Sequence, residues 1–240
     1  MVELSIVIPA RNEAENIGAL LDGIVAALAD APPFEIIVID DGSTDATAEA
    51  VRAAGAADSR IRLLHHPRPA GQSAAVHSGV GAARGRIVCT LDGDGQNPPE
   101  ELPRLAAPLL DPAAPARLAL VAGQRVGRQD SWSKRTASRI ANAVRAWALR
   151  DGTRDTGCGL KAFRRDVFLT LPYFDHMHRY LPALFRRDGW EIALVDVSHR
   201  PRGGGRSNYT NLQRGLVGVA DLLGVMWLIR RRKKAEPAEM

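Results

Sequence analysis

The stretch TLDGDGQNPPE, residues 90–100, places Asp92 and Asp94 one residue apart, between glycines and directly behind an apolar run. Two carboxylates flanking a glycine at a strand end can share a hard divalent cation, which completes its shell with water and substrate phosphates. The pair therefore implies a phosphate-bearing ligand. Alone the pattern is weak, because acidic glycine turns also occur as solvated loops. Two more polar turns add weight: IDDGSTDAT (39–47) carries Asp40 and Asp41, and PARNEAEN (9–16) carries Pro9, Ala10 and Glu13, each behind its own apolar run. Any one of these turns could merely cap a helix. Arginines follow in the second half. Arg125 ends VAGQR, Arg135 and Arg139 lie one helical turn apart, and Arg202 and Arg206 flank three consecutive glycines. Guanidinium forks favour phosphate, and the glycines suit a segment that closes over a ligand.

The elements that must position these residues alternate in type. Runs rich in β-branched residues (4–9, 34–40, 61–66, 85–92) alternate with Ala-rich helical stretches, which predicts an α/β fold with a mainly parallel twisted sheet flanked by helices. A helix from Asn12 or Asn16 to about residue 29 shows Ile17, Leu20, Leu21, Ile24 and Leu28 on one face. Ser43, Thr44 and Asp45 offer capping side chains for a helix reaching about residue 54, and further helices are expected over 72–83 and 132–150. If the strands are parallel, the three acidic and polar turns share the sheet edge where open α/β sheets bind ligands.

A chain of 240 residues suits one main domain, expected over 1–210, followed by a membrane-proximal segment over 211–234 and a tail over 235–240. Its 32 Lys+Arg against 27 Asp+Glu give a net charge of +5, thickening toward the C-terminus and suiting an anionic partner. Aromatic content of 5% without basic interleaving argues against nucleic acid. Cys89 and Cys158 form no disulfide framework, and the six histidines match no zinc spacing. With no signal-peptide pattern in MVELSIVIP, the expected location is the cytoplasmic face of a membrane, peripherally attached. Leu212, Leu216, Val219, Leu223 and Met226 form a helical stripe broken by Arg214 and Asp221, too charged to span a bilayer. The stripe reads as an interfacial amphipathic helix, with Arg230–Lys234 meeting anionic lipid; the competing reading is a core or dimer helix with a solvated tail.

SIVIPARNEAENI, IIVIDDGSTDAT, HHPRPAGQSAAVHSGVGAARGRIVCTLDGDGQNPPEEL, VAGQR, DTGCGLKAFRRD and HRPRGGGRSNY occur in this order over residues 3–230. Together they resemble the inverting family 2 glycosyltransferases, specifically the dolichol-phosphate mannose synthase-like polyprenyl-phosphate sugar transferases. The resemblance implies a GT-A type nucleotide-diphospho-sugar transferase fold. It assigns Pro9, Ala10, Glu13, Asp40, Asp41, Asp92 and Arg202 to the nucleotide sugar, and Asp92, Asp94 and Gln96 to Mg2+ or Mn2+. Acceptor phosphate falls to Arg125, Arg135, Arg139 and Arg206, and catalysis to Asp94, Arg125 and Asp155. Ala10 stands where related enzymes often carry an aromatic ring, so base stacking there is not expected. The implied partners are a nucleotide-diphosphate sugar, undecaprenyl or dolichyl phosphate, an anionic membrane surface, and either a membrane protein or a second copy of the chain. MHRYLP (177–182) and the stretch after it resemble bacterial members that load undecaprenyl phosphate for envelope glycan or lipid A modification, with uridine diphosphate sugars favoured over guanosine diphosphate mannose.

A lipid phosphate is already mostly ionised near neutral pH, its second pKa being about 6, so such an acceptor needs no dedicated general base. Two other readings stay open from sequence: transfer to a sugar hydroxyl of a polysaccharide or glycolipid, which requires a carboxylate base, and a non-catalytic sugar-nucleotide-binding, membrane-docking protein.

Overall fold

In the computed structural model the apolar runs form one seven-stranded sheet with helices on both faces. The structure describes residues 1–126, 145, 148–200 and 211–232, with the backbone alone for 211–217. The first half reads β1 (Leu4–Ala10), α1 (Ile17–Ala27), β2 (Phe34–Asp41), α2 (Thr47–Ala57), β3 (Ile61–His66), α3 (Gln72–Ala82) and β4 (Ile87–Thr90). After α4 (Leu102–Leu110) come β5 (Leu118–Arg125), β6 (Lys161–Arg164), α5 (Arg165–Leu169), α6 (Leu181–Arg187), β7 (Glu191–Val197) and α7 (Asn211–Arg230).

The strand order is β3-β2-β1-β4-β6-β5-β7, and β6 alone runs antiparallel to its neighbours. The chain steps outward from β1 through β2 to β3 and then returns to β4 on the other side of β1. That reversal leaves a crevice at the carboxyl ends of β1 and β4, where ligands bind in such sheets. The antiparallel β6 matters equally. Its first residue, Lys161, pairs with Thr90 of β4 and Ala122 of β5, so the loop ahead of β6 arrives at the same edge as Asp92 and Arg125.

Both faces of the sheet are covered, which is why its strands read as unbroken apolar runs. Leu4, Ile6 and Ile8 of β1 pack with Ile17, Leu20, Leu21, Ile24 and Leu28 on one face. Val7, Ile37, Ile39 and Val88 join Phe163, Phe168 and Phe185 on the other, with the Phe163 and Phe168 rings stacked 4.9 Å apart. Strand period two supplies this division.

Several boundaries differ from the expected ones. β4 ends at Thr90 rather than residue 92, because both of its ladders stop there and the acidic turn leaves the sheet. α1 starts at Ile17, with Asn12 in a left-handed turn (φ 56°) and the Asn16 side chain bonded to Glu13. α2 runs on to Ala57, and only Asp45 of the three expected caps serves it, accepting from the Thr47 N–H at 3.0 Å. Of the helix expected over 132–150, residues other than 145 and 148–150 lie outside the described part, Arg135 and Arg139 among them.

α7 is apolar on two sides. Val225 is buried, and Leu222, Met226 and Ile229 pack beside it on the second core cluster, while Val219, Leu223 and Trp227 are 60%, 61% and 59% exposed. The expected stripe is thus split: Met226 faces the core, and Trp227 takes its place on the outer face. Asp221 does not simply interrupt the stripe but pairs with His176 at 3.0 Å. No helix among the described residues is long and apolar enough to cross a membrane.

Glu35, 3% exposed at the opposite end of β2, accepts from Ser5 Oγ (2.8 Å), Arg62 Nη1 (2.5 Å) and the Arg84 N–H (2.6 Å). Burial opposes its charge, but these donors outweigh burial and lower its pKa below the ordinary 4.5. A carboxyl with a depressed folded pKa contributes stability above its unfolded value and loses it as pH falls through the folded value. The urea midpoint is therefore expected to fall below pH 4.5, and Glu35→Gln to lose about 1–2 kcal/mol at pH 7 with a shallower acid decline. An equally steep decline in the variant would assign the acid sensitivity elsewhere.

Candidate active site

Hydrogen bonds join the three polar turns into one rim. The Asn12 N–H donates to Ser43 Oγ (2.9 Å), the Thr44 N–H returns to Asn12 Oδ1 (2.8 Å), and the Glu13 N–H donates to Thr47 Oγ1 (2.9 Å). Ser43 and Thr44 therefore couple two loops instead of capping α2. Asp40 accepts from the Ser43 N–H (3.0 Å) and contacts His65 Nδ1 (2.9 Å), and Asp41 contacts His66 Nδ1 (2.8 Å). Asp41 also accepts from the Ala70 and Gly71 N–H groups, each at 2.8 Å. These donors outweigh the burial of Asp41 and lower its pKa. Asp40 and Asp41, both assigned to the nucleotide sugar, thus shape the rim from within the chain.

Gly71 adopts φ 90°, a conformation that glycine takes without strain, and delivers Gln72 to the start of α3. Gln72 Nε2 donates to Asp92 Oδ1 at 2.7 Å, and Asn97 Nδ2 donates to Asp92 Oδ2 at 3.2 Å. Burial, and then the nearby Asp94 carboxylate, raise the Asp92 pKa. Asp94 is half-buried and accepts from the Gln96 N–H at 3.1 Å. The Gln96 carbonyl accepts from the Arg200 N–H at 3.0 Å, which brings the chain after β7 to this turn.

Across the edge, Arg125 and Asp155 form a two-pronged pair, Nε to Oδ2 at 2.5 Å and Nη2 to Oδ1 at 2.9 Å. Gln124 Oε1 fixes the Asp155 turn by accepting the Arg154 and Asp155 N–H groups at 2.8 and 3.0 Å. Arg125 is thus held by a carboxylate in this structure, and its phosphate role requires Asp155 to share or release it. Thr90 Oγ1 donates to the Gly159 carbonyl at 2.8 Å and ties the loop ahead of β6 to the end of β4.

Beside these groups lies a cavity of about 380 Å³ lined by Pro9, Gln72, Asp92, Lys161, His178 and Arg179, among others. Burial, Lys161 and Arg179 hold the His178 pKa well below the usual histidine value, so the ring is neutral; its Nδ1 lies 2.7 Å from Ser73 Oγ. The structure brings Pro9, Asp92, Arg125 and Asp155 to one edge. Ala10 and Glu13 lie on or beside the same rim, with Ala10 buried against Gly93. Arg202 and Arg206 lie outside the described residues. Gln72, Asn97, Gly159, Lys161 and His178 were not anticipated as site residues: nothing in their residue types marks them, and only the return of β6 and the cover of α3 and α6 bring them to Asp92.

No group of three or more His, Cys, Asp or Glu side chains able to hold a metal occurs among the described residues. Asp92 and Asp94 nonetheless fit a hard cation that keeps water and phosphate ligands, since such sites use only one or two carboxylates.

The family model for glycosyl transferase family 2 matches residues 5–171. Among curated proteins, the chain is 33% identical over 238 residues to dodecaprenyl-phosphate galacturonate synthase from Rhizobium johnstonii, covering 97% of this chain and 69% of that protein. It is 36% identical over 222 residues to undecaprenyl-phosphate 4-deoxy-4-formamido-L-arabinose transferase from Aeromonas hydrophila subsp. hydrophila, covering 92% and 65%. The chain thus spans about two thirds of the length of these relatives. Among solved structures, glucosyl-3-phosphoglycerate synthase from Mycobacterium tuberculosis in complex with Mn2+ and uridine-diphosphate-glucose is 25% identical, with a TM-score of 0.67 over 94% of this chain and 79% of that one. With its GT-A sheet carrying the acidic turns at the expected edge, the chain belongs to glycosyl transferase family 2.

Proposed function

We propose that the protein transfers a glycosyl group from a nucleoside diphosphate sugar, with uridine diphosphate as the favoured carrier, to a polyprenyl phosphate, inverting the anomeric carbon. The observation that carries this reading is that Asp92 and Lys161 line one cavity at the switch point of the sheet, with the Arg125–Asp155 pair beside Gly157 in its wall. The names of the curated relatives support the polyprenyl phosphate.

An acceptor phosphate oxygen attacks the anomeric carbon, the bond from that carbon to the diphosphate oxygen breaks, and its electron pair leaves with the nucleoside diphosphate. No side chain needs to remove a proton, because the phosphate is already ionised. Consistent with that, the half-buried His178 in the cavity wall has a lowered pKa, which makes it a weak base, and it is bonded to Ser73. Arg125, whose plane Asp155 holds, would offer positive charge to phosphate when Asp155 shares or releases it. A Mg2+ or Mn2+ ion held by Asp92 and Asp94, with Gln96 beside them, would neutralise charge on the departing diphosphate. The product would serve as a lipid-linked glycosyl donor for envelope glycan or lipid A modification.

The exposed Val219, Leu223 and Trp227, followed by the exposed Arg230, Arg231 and Arg232, give α7 a face suited to an anionic leaflet on the cytoplasmic side. Trp227→Glu is expected to weaken binding to anionic vesicles about tenfold, since it removes an exposed aromatic anchor and adds negative charge facing an anionic surface. Unchanged vesicle sedimentation would remove this face from the reading.

The central test is a mass-spectrometric transfer assay with undecaprenyl phosphate, Mg2+ or Mn2+, and a panel of uridine and guanosine diphosphate sugars. A polyprenyl-phosphate sugar from one donor is the expected result. Nucleotide release without a lipid product would point to another acceptor, and no turnover with any donor would support a non-catalytic, sugar-nucleotide-binding protein.

A further inference from the structure

Two cations in the cavity wall lack a carboxylate partner among the described residues. Lys161 is 4% exposed, and its ammonium donates only to the Cys158 carbonyl. Burial pushes its pKa below the ordinary lysine value, outweighing the opposing influence of the Asp92 and Asp155 carboxylates, neither of which forms an ion pair with it. Arg179, half-buried in the turn ahead of α6, makes no side-chain hydrogen bond or ion pair among the described residues, yet it lines the same cavity. The anions nearby are already engaged. Asp155 faces Arg125, and both oxygens of Asp92 accept side-chain amide protons from Gln72 and Asn97. Burying a charge without a counter-charge is costly, so such groups mark places where a ligand supplies the missing partner.

The location narrows the ligand. Asp94 sits on the outer turn, whereas Lys161 and Arg179 line the cavity together with Thr90, Leu91, Val76 and Leu181. If the diphosphate lies on the acidic turn, the group that reaches this cavity is the sugar. We propose that Lys161 and Arg179 form an anion subsite that selects donors whose sugar carries a carboxylate, a class that comprises the nucleoside diphosphate uronates. The inference rests on the nucleotide-sugar reading above and adds the sugar class and the residues that choose it. A carboxylate there accepts from the guanidinium of Arg179 and the ammonium of Lys161, and charge-assisted bonds of this kind are the strong ones. A neutral hydroxymethyl group in the same position leaves both cations unpaired, and a polar site left unpaired by a substrate discriminates strongly against it.

The test is a calorimetric titration of the full chain with Mn2+ and no acceptor, using uridine diphosphate galacturonate and glucuronate, the matching galactose and glucose compounds, and uridine diphosphate itself. At least one uronate is expected to bind about 10-fold to 100-fold more tightly than its neutral hexose counterpart. In Arg179→Gln that ratio is expected to collapse to within about twofold, while uridine diphosphate, which lacks the transferred glycosyl group, binds both proteins alike and reports an intact fold. Lys161→Gln is expected to reduce the ratio in the same direction. Equal binding of uronates and hexoses by the parent protein, or a preference that survives Arg179→Gln, overturns the subsite. Absence of uridine diphosphate binding removes the uridine diphosphate sugar reading and the subsite with it, whereas normal uridine diphosphate binding without a uronate preference removes the subsite alone.

Discussion

Asp94→Ala is expected to leave a folded protein whose transfer rate has fallen by about 10³-fold, the equivalent of about 4 kcal/mol in the barrier. The two halves of this expectation have separate causes. Asp94 lies on a turn that has already left the sheet, and the bond it accepts from the Gln96 N–H at 3.1 Å contributes about 1 kcal/mol at most. Its removal therefore lowers the melting temperature by only a few degrees. The chemistry loses more. Asp92 has both oxygens engaged by Gln72 and Asn97, and Asp94 supplies the second carboxylate of the pair toward a cation. Calorimetric titration of Mn2+ in the presence of uridine diphosphate, run beside the transfer assay and a melting curve, separates the two effects. A variant with full activity and normal Mn2+ affinity would sink the metal assignment.

Gly159→Ala is the second large effect expected, and it arises from space rather than charge. A Cβ on Gly159 would lie 2.4 Å from Asp92 Oδ2, 2.6 Å from its Cγ and 2.8 Å from Asn97 Nδ2, closer than atoms can pack. Asp92 has little freedom to retreat, because Gln72 holds its other oxygen at 2.7 Å. The Gly159 backbone is equally fixed, since its carbonyl accepts from Thr90 Oγ1. The clash must displace the carboxylate, and a misplacement of about 1 Å at a reacting centre costs on the order of 10²-fold in kcat/KM. Overpacking of this kind adds a stability cost of about 1–3 kcal/mol. Gly81→Ala is the matched control. It sits in α3 with nothing within 4 Å of the added Cβ, so it should leave activity intact and add up to about 1 kcal/mol of stability. Parent-like kinetics in Gly159→Ala would mean that the position of Asp92 does not matter to transfer.

The sequence by itself determined the layered α/β architecture and the edge that carries the chemistry. Apolar runs ending in polar turns require a sheet buried on both faces, and parallel strands place all their carboxyl ends together, so the turns after β1, β2 and β4 had to meet. The apolar face of α1 was legible for the same reason, because a period near 3.6 leaves one side to bury and Ile17, Leu20, Leu21, Ile24 and Leu28 all do. Tertiary structure decided what depends on pairing between distant segments. That β6 inserts antiparallel between β4 and β5 is not encoded in any local pattern, yet it alone carries Gly159 and Lys161 to Asp92. The sequence showed Asp40 and Asp41 as an acidic pair in a polar turn; the register of β2 on β3 sets His65 and His66 beside them. On α7 the periodicity gave an apolar helix but not its rotation. The packing of Val225 and Met226 on the core decided that Val219, Leu223 and Trp227 face outward, because a helix apolar on two sides buries whichever side its neighbours can fill.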